Sequence, residues 1–109
     1  AFGMSGMDFE TATRQKIGIT TLVLNKGVMA TYPVGGPSDF PTAREKSGVG
    51  TMTGNYADFA RSFGAHGIQV SKISELAPAL ETAKGLNATG KTVLIDVRTT
   101  PVSKRGYSA

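Results

Sequence analysis

Apolar positions along this chain follow a helical rhythm, then a strand rhythm, and the two alternate three times. Phe9, Ala12 and Ile17 can share one helix face, with Arg14, Gln15 and Lys16 turned to water. Asp8 is placed to cap that helix and Gly18 to end it. Ile19 to Leu24 is then apolar on both parities, the pattern of a strand covered on both faces, and it stops at Asn25. From Lys26 to Gly54 the periodicity vanishes and prolines and glycines punctuate the chain, with room for a helical turn over Pro41 to Lys46. A stretch of that length reads as a long functional or disordered loop over 26–54. Order resumes at Asn55, where Tyr56, Phe59, Ala60 and Phe63 recur at helical spacing and Gly64 supplies the stop. His66 to Val70 reads as a short strand. Ser74 is placed to cap a helix with Leu76, Leu80 and Ala83 inward and Gly85 at its end, and Thr92 to Val97 as the last buried strand. Residues 98–109 read as a tail.

Alternating helices and doubly apolar strands predict an α/β class, a three-layer open and mostly parallel sheet with right-handed crossovers. In such sheets ligands bind beyond the carboxyl ends of the strands. That rule singles out Asn25 and the loop after it. The turns after Val70 and Val97 qualify by position but carry no comparable set of polar and glycine residues.

Length and composition narrow the picture. With 109 residues the chain has room for one small domain, read as a single partial domain over 1–109 that would depend on neighbours to cover its seam. The net charge of +4 comes from scattered basic residues without aromatic interleaving, which argues against nucleic acid as a partner. There is no cysteine, so thiol nucleophiles, disulfides and cysteine-ligated metals are excluded. The apolar run around Leu22 to Leu24 is far below the roughly 20 residues of a membrane span, and the amino end lacks a secretory pattern. A soluble, cytoplasmic protein is expected.

The stretch Phe2 to Asn25, FGMSGMDFETATRQKIGITTLVLN, resembles the C-terminal cofactor-binding segment of thiamine-diphosphate enzymes of the acetolactate synthase and benzoylformate decarboxylase kind. In that family a Gly-Asp-Gly triplet opens the segment and an Asn-Asn pair closes it. This sequence opens where the triplet would end. Downstream, Tyr56-Ala57-Asp58-Phe59-Ala60 with Phe63-Gly64-Ala65, Ser74 to Ala83 and Val93 to Val97 are similar to later elements of the family. The run around Ala1-Phe2-Gly3 is also similar to oxalyl-CoA decarboxylases. The resemblance implies the thiamine-diphosphate-binding fold, incomplete at its N-terminal side.

It also implies a site. Backbone at Ala1 and Phe2 would approach the diphosphate, Asn25, Lys26, Val28 and Met29 would line the cofactor loop, and the carbonyl of Val28 would ligate magnesium. Thiamine diphosphate and magnesium are the implied cofactors. The family acts on small 2-oxo acids or acyl substrates, with a pyrimidine-binding domain of the same or another subunit and as homo-oligomers. Its catalytic glutamate lies in that other domain, so no catalytic residue is assigned here and the isolated chain is expected to be inactive. Lys26 stands where the second asparagine would be. An ammonium group has no lone pair for a cation; it would either contact phosphate as a point charge or face solvent beside a dead or altered site. A non-catalytic structural or regulatory relative and a flavodoxin-like nucleotide or flavin binder are the alternatives. His66 has no sequence partner for general-base work, Asp8 and Glu10 do not share a helix face, and Met4, Met7, Met29 and Met52 read as packing or loop contacts.

Overall fold

A computed structural model of the chain describes residues 2–27 and 52–100. The contacts divide it into one unit of Ala1–Asn25 with Asn55–Arg98 and another of Lys26–Gly54 with Thr99–Ala109. The expectations for the helical turn at Pro41 to Lys46, for most of the 26–54 loop and for the end of the tail lie outside the described residues. In the second unit the amide of Met52 donates to the carbonyl of Gly27 at 2.9 Å.

The first unit opens with α1 (Phe2–Ser5) and α2 (Asp8–Arg14). Asp8 lies inside α2 instead of capping it: Met7 holds the cap position, without a side-chain cap bond. The reason is local. The chain is already turning at Gly6 and Met7, whose carbonyls accept from Phe9 and Glu10 at 3.1 and 3.0 Å, so no side-chain acceptor is needed. The end of α2 also differs from expectation. Ile17 donates to Ala12 and Lys16 to Thr13, the paired bonds of a Schellman stop, and Lys16 takes the left-handed conformation at φ 56. Gly18 serves a different need, because a Cβ there would stand 2.1 Å from the Asn87 carbonyl oxygen.

β1 (Thr20–Asn25) follows, then α3 (Tyr56–Ser62), capped by Asn55, whose side chain accepts from the Asp58 amide at 3.0 Å. β2 (His66–Val70) leads through a 3₁₀ turn (Ile73–Glu75) into α4 (Leu76–Asn87) and β3 (Val93–Arg98). Ser74 sits inside the 3₁₀ turn. The capping acceptor is Glu75, whose carboxylate takes the Ser71 and Lys72 amides at 2.8 and 3.1 Å. α4 runs through Gly85, and Gly90, at φ 81, is the left-handed residue beyond its end.

The described strands form one sheet in the order β1-β3-β2, with both pairings parallel. α1, α2 and α3 cover one face, where Phe9, Val23, Ala60, Ala65 and Leu94 form a cluster edged by Phe2, Tyr56, Phe59 and Phe63. α4 covers the other face over Val70, Ala79, Ala83, Val93 and Ile95. The crossovers run in opposite directions over opposite faces, which gives them the same hand. The three-layer α/β expectation therefore holds. Two inward assignments do not: Leu80 and Ile17 are exposed, while Ala79 and Ala83 carry the contact face of α4. Met4 and Met7 are exposed and do not pack.

Coverage of β1 is the main departure. β3 is buried on both faces, but Leu22 and Leu24, on the α4 side of β1, are 43 % and 71 % exposed. A helix about 10 Å across spans roughly two strands at about 4.8 Å spacing. α4 packs on β3 and touches both β1 and β2, but towards the carboxyl end of β1 Leu22 and Leu24 keep an open face.

Candidate functional site at the carboxyl end of the sheet

Parallel pairing brings all three strands to a common end. Register places Asn25 opposite Arg98 and Val23 opposite Asp96, and the pleat turns Val23, Asn25, Asp96 and Arg98 toward the face that carries α3. Asn25 closes β1 and is buried. Asp96 is fully buried in the central strand. Its Oδ2 accepts from the Tyr56 amide at 3.1 Å and lies 3.3 Å from Arg98 Nη2, while Oδ1 has no hydrogen-bond partner among the described residues.

These contacts tie three segments to one point. Asp96 takes the first amide of α3, Arg98 extends from the same strand end, and Asn25 lies across the ladder from Arg98. Phe2 joins through packing: its ring meets those of Tyr56 and Phe59 edge-on at centroid separations of 5.3 and 5.6 Å. Of the residues singled out in the sequence, the structure thus assembles Phe2 and Asn25 near one end of the sheet. Lys26 follows Asn25 in the chain and is half-buried. Ala1, Val28 and Met29 lie outside the described residues.

Asp96 and Arg98 were not singled out. A signal for Asp96 existed, because an ionisable residue within the doubly apolar run Thr92 to Val97 must be paired to be buried there. His66, by contrast, begins β2, its amide donating to the Thr92 carbonyl at 3.0 Å, and so belongs to the amino end of the sheet. Glu10 is engaged with Arg14 at 3.1 Å on the surface of α2. A recess of about 360 Å³ also opens at the amino end, between Lys16, Gly64, Gly90 and Lys91. Carbonyl ends of α2, α3 and α4 converge there, a polarity that does not suit an anion. We place the candidate site at the opposite end, where the amide and guanidinium donors lie.

Those donors suit an anionic ligand better than a divalent cation. No group of three or more His, Asp or Glu able to hold a metal occurs among the described residues. Asn25 offers one side-chain oxygen, Lys26 has no lone pair, and of the Asp96 carboxylate Oδ2 is committed to Arg98 and Tyr56. Among the described residues this leaves few oxygen ligands for a magnesium ion. The side-chain amide of Asn25 and the guanidinium of Arg98 are groups from which phosphoryl oxygens accept.

Comparison with known proteins gives the chain a family. The family model described as thiamine pyrophosphate enzyme, C-terminal TPP binding domain, matches residues 1–97. A probable acetolactate synthase of Mycobacterium bovis is 32 % identical over 103 residues, 93 % of this chain and 18 % of that protein. The acetolactate synthase large subunit IlvG of Mycobacterium tuberculosis matches with the same figures. A putative thiamine pyrophosphate-containing protein, YdaP, of Bacillus subtilis is 36 % identical over 86 residues, 75 % of this chain and 14 % of that protein. The chain spans less than a fifth of the length of these relatives. No solved structure matches it.

Proposed function

This chain belongs to the thiamine pyrophosphate enzymes, as their C-terminal TPP-binding domain, and from that premise we propose that it forms the diphosphate-anchoring half of an active site acting on 2-oxo acids or related acyl substrates. Burial of Asn25 at the carboxyl end of β1, beside the Asp96–Arg98 pair, is the observation that carries this reading. Asn25 stands at the first position of the asparagine pair that closes the family's segment. Here the fold holds it on the face and at the end where an open parallel sheet receives ligands.

When bound, thiamine diphosphate supplies a nucleophilic carbon and an electron sink for decarboxylation or carbon–carbon bond formation. This chain's own share is to bind and orient. Asn25 would donate to a phosphoryl oxygen, Arg98 would offset its charge, and Phe2 with Tyr56 would wall one side of the strand ends. Magnesium, which the family resemblance implies, finds no adequate ligand set in the described residues, and nothing in this mechanism passes through it.

The proposed parent is a cytoplasmic, acetolactate synthase-like lyase or transferase, assembled as a homo-oligomer. A pyrimidine-binding domain on the same or another subunit would contribute the proton-transfer group. No helix among the described residues is long and apolar enough to cross a membrane. Lys26 favours a second reading, a relative that keeps the fold as a structural or regulatory subunit. The family match removes the ground for a flavodoxin-like binder.

Assaying the full-length protein for cofactor-dependent consumption of a panel of 2-oxo acids, beside the 109-residue chain alone, separates these readings. Turnover by the long form and none by the short one is expected. Activity of the short chain would refute the half-site reading, and silence of both would favour the non-catalytic one.

A further inference from the structure

We draw no further inference here: the strongest candidate, the apolar surface patch of Leu22 and Leu24 on the edge strand β1, is exposed at both residues, and nothing in the structure shows what covers it.

Discussion

Asp96 places a carboxyl group in the fully buried middle strand and compensates for it with two donors on a single oxygen, the Tyr56 amide and the Arg98 guanidinium. Removing the carboxyl would leave the Tyr56 amide without its acceptor and the guanidinium without this carboxylate, and breaking a buried pair costs about 3 kcal/mol or more. Asp96→Ala is therefore expected to lower stability by about 3 kcal/mol, toward the lower end of that range because Arg98 reaches water. Asp96→Asn keeps an acceptor for Tyr56 and is expected to lose about half as much. Denaturant unfolding of the two variants checks this; equal losses would mean that the charge contributes nothing. At the same scale Lys16 shows a limit of sequence reading. Its left-handed backbone is set by the paired closing bonds of α2, whereas glycine is the usual residue there, so the sequence points to Gly18 instead.

At the level of elements, the turn into α4 depends on Glu75, which holds the Ser71 and Lys72 amides. The Ser71 bond, then the Lys72 bond, and last the nearby Lys72 charge lower its pKa below the ordinary 4.5, against a small opposing effect of desolvation. A carboxyl with a depressed folded-state pKa contributes stability above its unfolded value and loses it as the pH falls through the folded one. Thermal melts should show wild type ahead of Glu75→Gln at neutral pH, with the gap closing as the pH drops below 4.5. A gap that persists in strong acid would show that the carboxylate is not responsible. Element order was readable because periodicity reports packing directly: α3, β2 and the core of β3 lie where the apolar spacing puts them. Caps were not, since Asp8 and Ser74 look like caps in sequence while the acceptors come from Gly6, Met7 and Glu75. Nor could apolar pattern alone reveal that Leu22 and Leu24 stay open.

Across the molecule, an open parallel sheet gathers its polar strand ends on one side, and only Asn25 of the resulting trio was marked in advance. Arg98 fell at the start of what read as a tail, and Asp96 was hidden in an apolar run; register with β1 is what joins them to Asn25. The chain spans 18 % of the length of its mycobacterial relatives. The central claim is that this strand end anchors a diphosphate cofactor through Asn25. Titrating the full-length protein with thiamine diphosphate, wild type against Asn25→Ala, tests it most directly. A hydrogen bond to a charged group contributes about 1.5–3 kcal/mol, so the account predicts measurable binding that weakens by roughly tenfold or more in the variant. Equal affinity in the two proteins would contradict it.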